Sequence, residues 1–369
     1  MNTKVKNIVL TVVMAVLFIG FFVWNVVAAD TEFSESERRK LAEFPELTFE
    51  NVISGEFMKE FETYTLDQFP ERDAFRGIKA IFSRYVFFNM DNNDVILDSG
   101  HISKLEYPIR HDMINHAADR FGYIYDKYIS GKNANVYVSV IPDKNKFLAE
   151  DGGYLALDYN EVAEMMQERM DYAQYIDVYP LLALDDYYFT DSHWRQEKIV
   201  DVAQHIASSM NAPFDSGFET VKVHDNFYGT FYGQAALPVA PESISYLTDD
   251  AIKNCTVTAY DDKGFPIDVP VYNMENANGR DPYEMFLSGN QAVLQIENPL
   301  AENERELVIF RDSFGSSLTP LLIQSYSKIT VIDIRYISAD AVQFFANFEN
   351  ADVLFIYSTL LLNNSNGLR

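Results

Sequence analysis

Hydrophobic and polar positions alternate with three different periods along this chain. The first is a continuous apolar run from Ile8 to Trp24, interrupted by Asn25 and resumed at Val26–Ala29, with Lys4 and Lys6 ahead of it. A run of that length behind two lysines fits a membrane-insertion signal, with the lysines held in the cytoplasm and everything after Ala29 outside. Two outcomes fit it: an uncleaved anchor through residues 8–27, or a signal peptide cut after the small residues Val27-Ala28-Ala29. Residues 30–55 are polar, and Ser34–Lys40 reads as a stalk or an early helix. Glu56–Val86 has a helical period broken at Phe69-Pro70. Beyond it, strands and helices alternate. Strands are expected at 136–141, 175–179, 306–310, 328–334 and 352–357. Helices are expected at 161–175, 316–326 and 339–348, and at 195–210, where Ile199, Val202, Ala203, Ile206 and Met210 share one face. This alternation predicts an α/β fold of three α/β/α layers around a parallel sheet covered on both faces. Residues 215–300 break the rhythm with Gly, Asn, Tyr and Asp and with short stretches such as 256–260 and 269–272. They read as a β-rich insertion beside the carboxyl edge of the sheet, inside one domain spanning 30–369.

Composition narrows the setting. Apolar residues make up 48% of the 369 and there is one cysteine, Cys255, which excludes an internal disulfide. The 55 acidic side chains outnumber 29 basic ones, for a net charge of −26. Because Lys4 and Lys6 precede the apolar run, the exported part is more acidic still. Such a surface repels nucleic acid and tolerates a neutral or cationic polymer. No phosphate-binding glycine loop and no metal-ligand spacing is present, so neither cofactor nor metal is expected.

Chemistry enters at two distant segments. Thr190-Asp191-Ser192-His193-Trp194 offers an acid two residues from a base, and residues i and i+2 of an extended segment lie on the same side. The Asp191 carboxylate can then hold the His193 Nδ1–H and leave Nε2 for a hydroxyl. Trp194 is placed to wall the site. Ile309-Phe-Arg-Asp312-Ser313-Phe-Gly315 offers the hydroxyl, at a strand-to-helix junction that exposes Ser313 and aims free N–H groups outward. The N–H groups of Ser313 and Gly315 are candidate oxyanion donors. The competing readings are ordinary helix caps at Asp191 and at Asp312 or Ser313.

The same segments, with Asp333-Ile-Arg335-Tyr336, Asp67-Gln-Phe-Pro-Glu-Arg72, Ile141-Pro-Asp-Lys-Asn145, Tyr228-Gly-Thr-Phe-Tyr-Gly233 and Tyr283–Asn290, resemble the DHHW protein family. That family is similar to the alginate O-acetyltransferase proteins with an SGNH-hydrolase-like domain. The resemblance runs from about residue 30 to the C-terminus. It implies a circularly permuted SGNH fold in which Asp-x-His precedes the serine. It implies Ser313 as nucleophile, His193 as base, Asp191 as orienter, and Arg335 and Tyr357 in the pocket. Asn290 and Asn145 are the candidates for an oxyanion asparagine. Arg311 stands where a Gly-Asp-Ser motif would carry glycine. The implied activity is transfer of acetyl groups to a cell-surface or exported polysaccharide, with a multi-spanning membrane acyltransferase as donor. Two alternatives remain: a carbohydrate acetylesterase with the same residues, or a non-catalytic surface or assembly protein on the same fold.

Overall fold

The computed structural model describes residues 3–92, 94–261 and 263–369. The chain divides into two compact units, Met1–Asn92 with Tyr232–Val239 and Asn93–Phe231 with Ala240–Arg369. The sequence reading placed its boundary at 29/30 instead.

The larger unit is built on an eight-stranded sheet. In chain order its strands are β1 (Asn135–Ile141), β2 (Gln174–Tyr175), β3 (Thr256–Tyr260), β4 (Pro266–Asp268), β5 (Val293–Glu297), β6 (Glu306–Arg311), β7 (Lys328–Ile332) and β8 (Asp352–Ser358). Their spatial order is β4-β3-β5-β7-β6-β8-β1-β2. β7, β6, β8, β1 and β2 run parallel, whereas β5, β3 and β4 are added antiparallel. The 215–300 region therefore does more than flank the sheet: three of its strands extend it. A further pair, Glu219–Phe227 with Glu242–Thr248, forms a separate antiparallel ribbon.

The central strands are near-continuous apolar runs because both of their faces are covered. Ile309, Leu354 and Ile356 point to one face, against Val202, Ala203 and Ile206 of one helix (Val200–Ser209) and Leu318, Leu321 and Leu322 of another (Phe314–Leu322). Val308, Phe310, Val353 and Phe355 point to the other, against a helix at His111–Ile124 and a second at Tyr159–Arg169. The alternation along each strand is what a period of two requires. The three-layer expectation is met, with local differences. The helix expected at 161–175 stops at Arg169, and the strand expected at 175–179 gives way to a 3₁₀ turn at Tyr179–Leu181. The helix expected at 339–348 is a 3₁₀ segment, Ala339–Phe344.

In the smaller unit, α1 (Thr3–Val27) is a 25-residue apolar helix, long and apolar enough to cross a membrane. Residues 34–40 are neither stalk nor helix. They form a tight antiparallel hairpin, Phe33–Ser34 with Arg39–Lys40, fixed by Arg39 Nη1 and Nη2 on the Asp67 carboxylate at 2.8 and 2.5 Å. α2 (Glu56–Asp67) and α3 (Arg72–Tyr85) are separated at Pro70, as the missing proline N–H requires.

Candidate active site

Strand β6 ends at Arg311, and the chain turns at Asp312-Ser313 directly into the helix Phe314–Leu322. The turn is held by Asp312, whose Oδ1 accepts the Phe314 N–H at 3.0 Å and whose Oδ2 accepts the Ser358 N–H and hydroxyl at 2.8 and 2.6 Å. Gly315 follows because a Cβ there would stand 2.5 Å from the Arg311 Cβ. Ser313 is thus fixed at the carboxyl edge of the parallel strands, where open α/β sheets bind ligands.

The second segment is built differently. Leu184–Asp186 is a 3₁₀ turn, and Tyr187 bridges Trp194 antiparallel, so Thr190–His193 is the tip of a tight loop. What carries it to the sheet edge is Lys144, which lies just beyond β1. Its buried ammonium donates to the carbonyls of Tyr188, Phe189 and Asp191 at 2.8, 3.1 and 2.7 Å. The N–H groups of the same loop are taken by Glu242, whose carboxylate accepts from Phe189 N–H, Thr190 N–H and Thr190 Oγ1, each at 2.9 Å. A cation on the carbonyls and an anion on the amides leave the loop tip little freedom.

Within this frame His193 Nε2 lies 2.7 Å from Ser313 Oγ, and His193 Nδ1 lies 2.5 Å from Asp191 Oδ1. Asp191 is fully buried; its Oδ1 also accepts the His193 N–H at 3.1 Å, and its Oδ2 accepts Thr230 N–H and Oγ1 at 2.8 and 3.1 Å. Thr230 comes this close because residue 229 is glycine: an added Cβ would fall inside Asp191. Burial pushes the Asp191 carboxyl up, but the charge and hydrogen bond of His193, with the backbone donors of Thr230 and His193, outweigh it and hold the group below the usual carboxylate range. Tyr283 stacks face to face on the imidazole, with centroids 3.7 Å apart and planes 5° apart. Its hydroxyl meets Ser317 Oγ at 2.8 Å and donates to the Ser313 carbonyl at 3.3 Å. The ring so held leaves Nε2 pointed at one hydroxyl, the arrangement that lets a serine lose its proton as it attacks a carbonyl.

The remaining predicted residues fare unevenly. Trp194 is fully buried; its Nε1–H donates to the Phe314 carbonyl at 3.1 Å and to Ser317 Oγ at 2.9 Å, pinning the base-bearing loop to the helix after Ser313. The Gly315 N–H is spent on the Asp312 carbonyl at 3.1 Å, so it is not a free oxyanion donor. The Ser313 N–H has no protein acceptor among the described residues. Asn145 is fully buried, with its amide N–H on the Leu155 carbonyl at 3.0 Å. Asn290 is exposed and donates to Glu284 Oε1 at 2.7 Å. Among the described residues neither amide hydrogen-bonds Ser313. Arg335 grips Asp333 through Nε and Nη2 at 2.9 and 2.6 Å, and the buried Arg311 shares that carboxylate at 3.3 Å. Arg311 is therefore a neutralised core cation whose stem fills the space that Gly315 leaves. Tyr357 is buried and stacks on Phe121 at 4.7 Å. Sequence reasoning missed Glu242, Thr230 and the roles of Lys144 and Tyr283. Only the short segments holding Lys144, Thr230 and Tyr283 stood out beforehand.

Sheet and side-chain relay together define a class: a three-layer α/β protein with a serine hydroxyl on a histidine at the carboxyl edge of the sheet. No family model matches the chain, and no curated protein matches it. Among solved structures it is similar to a DHHW family protein from Eubacterium siraeum, at 23% identity and a TM-score of 0.61, over 75% of this chain and 95% of that one. It is also similar to Bacillus cereus PatB1 with a sulfonyl adduct, at 19% identity and a TM-score of 0.61, over 74% of this chain and 97% of that one. A weaker match is the O-acetyltransferase domain of Pseudomonas putida AlgJ, at 11% identity and a TM-score of 0.44. The chain shares the fold of the first two of these structures, in line with the sequence resemblance.

Proposed function

We propose that this chain is an O-acetyltransferase of the extracytoplasmic side, held to the membrane by residues 8–27 and acting on a cell-surface or exported polysaccharide. The observation that carries the reading is the unbroken relay from Asp191 through His193 to Ser313, at 2.5 and 2.7 Å. Ser313 Oγ attacks the carbonyl of an acetyl donor while His193 Nε2 takes its proton. The tetrahedral adduct collapses, the leaving group receives that proton, and an acetyl ester remains on Ser313. A sugar hydroxyl then attacks the ester, gives its proton to His193, and leaves acetylated as Ser313 is restored. Asp191 keeps the imidazole in the productive tautomer throughout. The Ser313 N–H supplies an oxyanion donor; one such donor lowers the barrier by about 3–4 kcal/mol. Arg335, a partly exposed cation just past the end of β7, is the group proposed to meet the acceptor. A multi-spanning membrane acyltransferase is the proposed acetyl donor.

The test is acetyl transfer from a chromogenic acetyl ester to an oligosaccharide, followed by product mass. The expected result is an acetylated sugar that disappears in Ser313→Ala and His193→Ala. Release of free acetate alone, with acceptor present, makes the protein an esterase. Turnover unchanged in Ser313→Ala removes the nucleophile.

A further inference from the structure

Among the described residues, the apolar side of helix α3 is left largely uncovered beyond Phe75. Phe75, Ile78, Phe82 and Tyr85 fall on one side at helical spacing, and each is exposed, from 43% at Phe75 to 58% at Tyr85. Phe87 and Phe88, just past the helix, continue the patch, at 68% and 81% exposed. The opposite side is the one that packs within this unit: Ala80 is buried, a Cβ on Gly77 would stand 3.6 Å from the Ala236 carbonyl, and Arg76 donates to the Gly233 carbonyl at 2.7 Å. An amphipathic helix normally turns these sides the other way.

Three observations identify what covers the patch. The first is charge. In a chain of net charge −26, α3 itself carries Arg72, Arg76, Lys79 and Arg84 and one acid, Asp73, with Arg72 and Arg76 also paired to Glu37 of the hairpin. A basic helix with an aromatic and aliphatic stripe is the pattern of a segment lying in a membrane interface. The second is continuity. Phe21 of α1 stacks on Phe69 at 6.0 Å and meets Phe75 edge-on at 5.8 Å, so the stripe starts where the apolar helix packs. The third is depth. Phe21 lies six residues before the end of α1 at Val27, which is about 9 Å at 1.5 Å per residue. Interfacial helices bury their apolar side about 5–10 Å into the headgroup and acyl boundary. With α1 across the bilayer, Phe75 sits at that depth.

We infer that α3 and the Phe87-Phe88 turn lie in the outer face of the bilayer, so that this unit is a membrane-surface platform and not merely a tether. The occupant of the patch is lipid. The inference does not depend on the acyl chemistry proposed above.

The full chain, in a Cys255→Ala background, is reconstituted into nanodiscs of phosphatidylcholine with phosphatidylglycerol. Nitroxide labels are placed at Ile78→Cys and Phe82→Cys, with Asp268→Cys, an exposed position of the other unit, as the aqueous control. Collision rates with oxygen and with a water-soluble nickel chelate are compared. Lipid immersion predicts oxygen above nickel at 78 and 82, and the reverse at 268. Nickel above oxygen at 78 and 82 overturns the inference, because the patch is then in water. Both rates low also overturns it, because protein then covers the patch. The unlabelled chain gives an independent reading with a phosphatidylcholine carrying a mid-chain diazirine. Cross-links within residues 75–88 are expected, and their absence alongside cross-links in α1 counts against lipid.

Discussion

Lys144→Met removes the cation that holds the Asp-x-His loop while keeping the side chain's length. Three carbonyls, those of Tyr188, Phe189 and Asp191, lose their donor together. Glu242, on the amides of the same loop, stays buried without a neighbouring cation to offset it. Removing one partner of such a buried arrangement costs about 3–5 kcal/mol. At about 2–4 °C per kcal/mol that lowers Tm by roughly 10 °C. Activity falls further, because a displacement of about 1 Å of a positioned catalytic group costs about 10²-fold. Burial brings the ammonium down to about 7, so the comparison belongs at pH 6, where the wild-type lysine is charged. The assay pairs thermal melting with the rate at which a sulfonyl fluoride labels Ser313. The Lys144→Met, Glu242→Gln double variant removes the stranded charge as well. It is expected to recover part of the lost stability, with a coupling of about 0.5–3 kcal/mol. A Lys144→Met protein that melts and labels like wild type would show that the loop is positioned without the clamp.

Two further outcomes follow from Asp191 and its neighbour. Asp191→Asn leaves the shape but offers His193 the wrong tautomer, and a loss of about 10⁴-fold in turnover is expected. The same variant changes acid stability. The folded carboxyl lies below its ordinary 3.8, so its contribution is complete above 3.8 and is lost as pH falls through the folded value. Melting curves from pH 5 to pH 2 should therefore show a shallower acid limb in Asp191→Asn than in wild type. Gly229→Ala drives a methyl into the backbone and Cβ of Asp191; overpacking of this kind costs about 1–3 kcal/mol, and serine labelling slows with it. Unchanged labelling in that variant would mean that the Thr230 donors are dispensable.

The parts of this molecule that were legible in its sequence are those encoded locally. The strand before Ser313 is a run of Leu307, Val308, Ile309 and Phe310, and a turn follows it within two residues, so the exposed serine could be read directly. Asp191 and His193 are two residues apart, and their pairing needs no information from elsewhere. The clamp was illegible because it spans the chain: Lys144, Glu242 and Thr230 meet one loop from 39 to 53 residues away. The partners of the two candidate oxyanion asparagines were illegible for a related reason. An amide's use depends on its partner, and Leu155 and Glu284 claim those of Asn145 and Asn290. The contacts by which Trp194 pins its loop were not legible, because an indole serves equally to wall a site or to pin a loop. The antiparallel extension of the sheet was missed since short alternating strands carry no mark of which partner they join.

The central claim is that Ser313 is a nucleophile driven by His193. Intact-mass and peptide analysis after exposure to a sulfonyl fluoride tests it most directly. One adduct is expected, on Ser313, formed by wild type and absent from His193→Ala and Ser313→Ala. An adduct elsewhere in the chain, or one that forms as fast without the imidazole, would contradict the account.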